Sequence, residues 1–144
     1  MKKIEDILNR KGKEFFSVSP KTSVIEALKI MEKNNIGSVL VMDNNTYCGI
    51  LTERDYARKV ILKGKKSSDM MVEEIMSVNL PKISLDTTTD EATQLMGDKN
   101  IRYLPVFEND NLYGVISIGD LVKEIILSQE EAIAQLRDYM QSHS

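Results

Sequence analysis

The chain has 144 residues, 42% hydrophobic and 28% charged, and its 22 acidic against 19 basic side chains leave a formal charge of −3. That is enough for one well-buried core, and too acidic for a general nucleic-acid binder, whose phosphate partner needs a dense positive surface. One cysteine, Cys48, and one histidine, His143, exclude a disulfide framework and a His/Cys metal site, while the acids in MKKIEDILNR and the lack of an 18-residue apolar run lead us to expect a cytoplasmic protein without a membrane partner.

In chain order, a short apolar lead-in, Ile4-Glu-Asp-Ile-Leu, precedes an extended piece at Phe16-Ser-Val. From Thr22 to Glu32, Val24, Leu28 and Met31 fall at helical spacing, with Ser23 and Glu26 set as a capping box. Ser38-Val-Leu-Val-Met, Asp43-Asn-Asn-Thr and Cys48-Gly-Ile-Leu-Thr read as strand, turn and strand, and a second helix is expected from Asp55 to about Lys63. The polar segment Lys63 to Asp69 is a linker, and Val72-Glu-Glu-Ile-Met repeats the lead-in 68 residues on. The same order then recurs: Pro81-Lys-Ile, a helix from Thr87 to about Lys99 with Thr88 and Glu91 as caps, Tyr103-Leu-Pro-Val-Phe, Glu108-Asn-Asp-Asn, Tyr113-Gly-Val-Ile-Ser, and a helix from Asp120 to about Leu127.

Val18–Asp55 lies on Ile83–Asp120 without a gap at a spacing of 65, and 11 of the 38 positions are identical; roughly two or three would match by chance, so the repeat is real. The expected fold is α+β, two β-α-β-β-α repeats packed as a pseudo-twofold module. The expected divisions are 1–66 for the first repeat with its lead-in, 67–128 for the second, and 129–144 for a helical extension. There Ile126, Ile133, Leu136 and Met140 fall near heptad spacing. That stripe packs either on its own module or on a second subunit.

Each hairpin ends in a matched signature, Gly49-Ile-Leu-Thr-Glu-Arg-Asp and Gly114-Val-Ile-Ser-Ile-Gly-Asp. Where strand turns to helix, the hydroxyl of Thr52 or Ser117 and free backbone N–H groups suit a phosphate. Asp55 or Asp120, three residues on, suits the paired hydroxyls of a ribose. The alternative is that each Asp is a helix cap and each hydroxyl a strand-end group.

With Gly-x-x-Thr/Ser-x-x-Asp closing both copies, the chain resembles the cystathionine-β-synthase (CBS) domain pair, or Bateman module, over about residues 1–128. Leu51-Thr-Glu-Arg-Asp-Tyr-Ala-Arg-Lys-Val, Ile101-Arg-Tyr-Leu-Pro-Val and Val115-Ile-Ser-Ile-Gly-Asp-Leu-Val-Lys look like a bacterial stand-alone branch. The resemblance implies two clefts for adenosine-containing ligands: AMP first, with ATP, ADP, NAD(H) or S-adenosylmethionine as alternatives. It implies that Asp55 and Asp120 take riboses and Thr52 and Ser117 phosphate oxygens. The base would lie near Phe16 and Ser17 in one cleft and Leu80 and Pro81 in the other, with Gly37-Ser38 or Arg102-Tyr103 beside it.

The copies differ where charge matters. Arg102 stands opposite Gly37 in the alignment, so we expect it to join Ser117 and Asp120 and make theirs the nucleotide-monophosphate cleft. Arg54 stands where the second copy has Gly119, with Arg58 one turn on; these arginines serve the Thr52 cleft or form a solvated helix face. Phe16 either stacks on a base or belongs to the core. Pro105 suits a sheet edge or a ligand-facing position, or ends a pairing. No nucleophile with a base, acid–base pair or metal cluster is visible at useful spacing, so the expectation is a regulatory ligand-binding homodimer with a regulated partner, not an enzyme. An interaction protein without ligand is the alternative.

Overall fold

The computed structural model describes residues 2–12 and 14–142. A lead helix α1 (Ile4–Lys11) precedes β1 (Ser17–Val18), α2 (Val24–Asn34), β2 (Ser38–Asp43), β3 (Thr46–Thr52) and α3 (Glu53–Tyr56). The second repeat supplies β4 (Ile83–Ser84), α4 (Thr89–Lys99), β5 (Tyr103–Glu108), β6 (Asn111–Ser117) and α5 (Ile118–Ser142). Two separate sheets share one plan, β1-β2-β3 and β4-β5-β6, the first pair parallel and the second antiparallel. The expected α+β pair of β-α-β-β-α repeats is thus the architecture found.

Several matched positions are explained by this scaffold. Ser23 and Thr88 cap α2 and α4 by accepting from the N–H of Glu26 (3.2 Å) and Glu91 (3.1 Å). Asn35 and Asn100 end the same helices in the left-handed region, with φ of 52° and 53°, which asparagine tolerates better than other side chains. Asn44 and Asn109 take positive φ in the hairpin turns. Ala27, Ala92, Met31 and Met96 are buried where those helices meet their sheets.

Two helices depart from expectation. α3 starts at Glu53, two residues before Asp55, and passes into a π-turn over Ala57–Ile61. α5 runs unbroken for 25 residues, so the extension continues the last helix of the repeat. Pro105 lies buried in the central strand of its sheet, not at an edge. Its counterpart Leu40 donates its N–H to the Phe16 carbonyl at 3.0 Å. Proline has no such donor, and β4 accordingly begins its pairing one position later, at Ile83↔Val106.

The lead-ins cross over. Ile4, Ile7 and Leu8 of α1 fill the core of the second repeat with Leu104, Val106 and Ile116, while Val72 and Ile75 fill that of the first with Val39, Val41 and Leu51. Backbone bonds fasten both: Ile4 N to Thr87 O (2.9 Å) on one side, Val72 N to Thr22 O (2.8 Å) on the other. α1 is further held by the buried carboxylate of Glu124 on α5, which pairs with Arg10 and with Lys2 at 4.0 Å. No helix among the described residues is long and apolar enough to cross a membrane.

Candidate functional site

β3 and β6 approach each other where the repeats meet, and the strand-to-helix junctions following them open onto two cavities. The first, about 430 Å³, is lined by Thr52, Glu53, Arg54, Asp55 and Arg58, by Gly37 and Ser77, and from the second repeat by Leu80, Ile101, Arg102 and Tyr103. The second, about 320 Å³, has Ser117 and Asp120 with Phe15, Phe16, Ser38 and Leu40 of the first repeat, and Lys11 and Glu14 from the lead segment. Each cavity therefore joins one repeat's junction to the other's first extended segment. Ser17, Pro81 and Gly119 line neither cavity.

The expected placement of Arg102 is corrected. Its carbonyl does sit at the Ser117 junction, accepting from Ile118 N–H at 2.8 Å, but its side chain lines the Thr52 cavity with Arg54 and Arg58. Successive strand residues point to opposite faces, and across a pseudo-twofold seam the outward one meets the other repeat. Three guanidiniums thus share the first cavity. Arg54 donates to the carbonyl of Asn100 at 2.7 Å, tying α3 to the end of α4. Arg58 and Arg102 are exposed and have no hydrogen-bond or ion-pair partner among the described residues.

The two aspartates are placed alike but engaged differently. Asp55 is buried at the third position of α3 and forms a capping box with Thr52: its Oδ2 accepts from the N–H and the hydroxyl of Thr52, both at 3.0 Å, and its own N–H donates back to that hydroxyl. Oδ1 accepts from Ser77 at 2.8 Å and meets Lys59 at 3.1 Å. Both oxygens are therefore committed. Asp120 repeats the box with Ser117, its Oδ2 taking the Ser117 N–H at 2.8 Å and Lys11 Nζ at 2.7 Å, and Oδ1 has no partner among the described residues. Lys11 also donates to the Val115 carbonyl at 3.0 Å. At the position matching Lys59 the second repeat has Glu124, which faces Arg10, so the ammonium on Asp120 comes from α1 instead.

Tyr103 and Gly37 border both cavities. A Cβ on Gly37 would lie 2.3 Å from the Tyr103 hydroxyl, so only glycine leaves the phenol this close. Burial, reinforced by the charge of Glu53, raises the Tyr103 pKa against the lowering effect of Arg102, while Asp120 raises it further. One phenol thus feels the charges of both clefts.

Phe16 is half exposed at the second cavity, not core. Ser77, Lys59 and Lys11 escaped the sequence reading. Lys59 carried a visible signal, an ammonium four residues after Asp55 on one helix; Ser77 and Lys11 lie beside the lead-ins and reach the site only because these cross over.

The sequence profile of the CBS domain matches residues 4–62 and 72–127. The chain belongs to the CBS domain family. The mitochondrial CBS domain-containing protein CBSX3 of Arabidopsis thaliana is 33% identical over 147 residues, 96% of this chain and 71% of the relative. The solved structure of a protein with CBS domains from Burkholderia ambifaria MC40-6 is 40% identical, covers 88% of this chain and 96% of its own, and superposes with a TM-score of 0.84. That of the CBS domain protein NE2398 is 38% identical over 87% of this chain and 98% of its own, TM-score 0.83. CBS pairs of this kind are regulatory modules, not enzymes.

Proposed function

We propose that this CBS pair binds an adenine nucleotide, AMP foremost, in the Thr52 cavity and passes the bound state on to a partner. The observation that carries the reading is the pair of unpartnered guanidiniums, Arg58 from one repeat and Arg102 from the other, facing one cavity beside the Thr52 hydroxyl. A phosphate forked between them links the two halves, and about 430 Å³ falls within the range small-ligand sites occupy. Leu80 and Ile101 offer the base an apolar wall. A ribose at Asp55 takes over Oδ1 from Ser77 and Lys59; at Asp120 it meets an unpartnered Oδ1 directly. ATP, ADP, NAD(H) and S-adenosylmethionine fit the same frame, the last with its carboxylate in place of a phosphate at the arginines.

A ligand touching both repeats shifts the module only by its differential affinity for two arrangements. The exposed apolar face of α5 supports a homodimer and a route to a regulated protein, in the cytoplasm in our reading. A ligand-free interaction protein is favoured by one observation, the saturation of Asp55 by its own neighbours.

Isothermal titration of nucleotide-stripped protein separates these. Saturable AMP binding weakened at least tenfold by Arg102→Ala is the expected result. Absence of heat with AMP, ATP, ADP, NADH and S-adenosylmethionine alike overturns the ligand reading.

A further inference from the structure

α5 has two opposed faces. On the inner one, Leu121 and Glu124 are buried and Glu131 reaches Lys2 at 4.0 Å. On the outer one, Val122, Ile126, Ile133, Leu136 and Met140 lie at alternating spacings of three and four once Gln129 is counted, and each is about half exposed or more, Leu136 at 59% and Met140 at 61%. In heptad terms Ile126, Ile133 and Met140 take position a, and Val122, Gln129 and Leu136 take d. Ile125, Ala132 and Tyr139 follow at g, Lys123, Glu130 and Arg137 at e. The last turns of such a helix are marginal in water without a cover for this stripe.

We propose that a second copy of this chain covers the stripe from Gln129 to Met140, the two α5 helices pairing antiparallel with Glu130 of each opposite Arg137 of the other. Flank chemistry decides the direction. In a parallel pair each e position faces the g position of the preceding heptad, which would set Glu130 against Ile125 and Arg137 against Ala132. In an antiparallel pair e faces e and g faces g, so one flank is ionic and the other apolar. The charges then choose the register. One heptad away, Glu130 meets Glu130 and Lys123 meets Arg137, like against like; the register that sets Glu130 against Arg137 also stacks Ile133 on Leu136, Gln129 on Met140 and Ala132 on Tyr139. Neither Glu130 nor Arg137 has an ion pair within the chain among the described residues, whereas Glu131 has one.

The inference rests on the homodimer reading and is independent of which nucleotide the clefts take. Its test uses the full chain with Cys48→Ser, examined by light scattering and, after mild oxidation, by non-reducing electrophoresis. The expected result is a dimer that Gln129→Cys combined with Met140→Cys locks covalently, while neither cysteine alone does. Arg137→Glu weakens the dimer at least tenfold, and adding Glu130→Arg restores it. Ile133 is exposed, so Ile133→Asp gives a folded monomer with unchanged near-ultraviolet dichroism. A wild-type monomer overturns both this seam and the homodimer reading. A dimer that survives Ile133→Asp and yields no cross-link overturns the seam alone, and covalent dimer from Met140→Cys by itself overturns the antiparallel direction.

Discussion

Gly49→Ala tests whether the first cavity is held from behind by the backbone. A Cβ at Gly49 would sit 2.6 Å from the Ser77 carbonyl oxygen and 3.3 Å from the Met76 sulfur. The sulfur can move away; the carbonyl cannot do so cheaply, because Ser77 is bridged to Ile50 by two backbone hydrogen bonds of 2.8 and 3.0 Å. Relieving the clash lengthens both. Their loss costs about 1 kcal/mol each, and overpacking adds about 1–3 kcal/mol, a total of about 3–5 kcal/mol. At this chain length that lowers Tm by roughly 10–15 °C. The same shift withdraws the Ser77 hydroxyl from Asp55 Oδ1. Gly97→Ala is the control: nothing lies within 4 Å of its added Cβ in α4, and alanine in a helix interior gains about 1 kcal/mol over glycine. Thermal unfolding followed by circular dichroism reads both. A Gly49→Ala protein that melts with wild type, or with Gly97→Ala, would refute the reasoning.

Other perturbations probe the crossed lead-ins and the one orphan hydroxyl. Ile7 is fully buried in the second core, and Ile7→Ala costs about 2–5 kcal/mol; amide exchange should show the added opening in β4–β6 before β1–β3, although residue 7 precedes the first repeat. Arg10→Met strands the buried Glu124 with Lys2 4.0 Å away and costs about 3 kcal/mol in urea unfolding; a loss below half of that places the carboxylate in contact with water. The Tyr47 hydroxyl is buried without a partner among the described residues, so Tyr47→Phe stabilises by about 1 kcal/mol. Burial, with help from Cys48, raises the Tyr47 pKa from 10.0 to about 12. The folded state therefore holds this proton more tightly than the unfolded chain, and the associated stability is complete below pH 10 and lost as pH rises to 12. Urea midpoints across that range should fall less steeply in Tyr47→Phe; equal slopes would remove Tyr47 as the titrating group.

What was legible in the sequence was whatever local periodicity and self-comparison carry. The caps Ser23 and Thr88, the hairpin turns and the strands are decided within a few residues, and each appears twice. Contacts between repeats were not legible. Arg102 was assigned to the wrong cleft because alignment sets a residue beside its own copy, whereas pseudo-twofold packing sends it to the other copy's junction. The crossing of α1 was hidden for the same reason: an amphipathic segment of eight residues states that it needs a core and not whose. Asp55 and Asp120 were recognisable as a matched pair of carboxylates, but residue type gives capacity and not partners, so the saturation of one and the free oxygen of the other emerged only in the fold.

That difference bears on how two equivalent clefts come to do unequal work. The scaffold keeps the pair alike: both aspartates cap their helices through the same hydroxyl, 65 residues apart. The cations break the symmetry. In the first cleft Lys59 neutralises Asp55 from the same helix, leaving Arg58 and Arg102 to an incoming anion. In the second, the matching position is Glu124, spent on anchoring α1, and the one ammonium at the carboxylate among the described residues is Lys11, which already bridges Asp120 and the Val115 carbonyl. On the proposed nucleotide reading, an anion is drawn to the first cleft by unpaired charge, while a ribose at the second shares Asp120 with the end of α1. Since α1 also supplies Ile4, Ile7 and Leu8 to the second core, occupancy of that cleft is coupled to the docking of α1 through one side chain. Lys11→Met separates the two effects: it releases Asp120 Oδ2 from the ammonium, so that a ribose can engage both carboxylate oxygens, and leaves the apolar anchor intact, so it should raise affinity at the second cleft without raising it at the first. Titration of this variant with adenosine and AMP should show the gain at one site per chain, and an unchanged isotherm would mean that Lys11 does not compete.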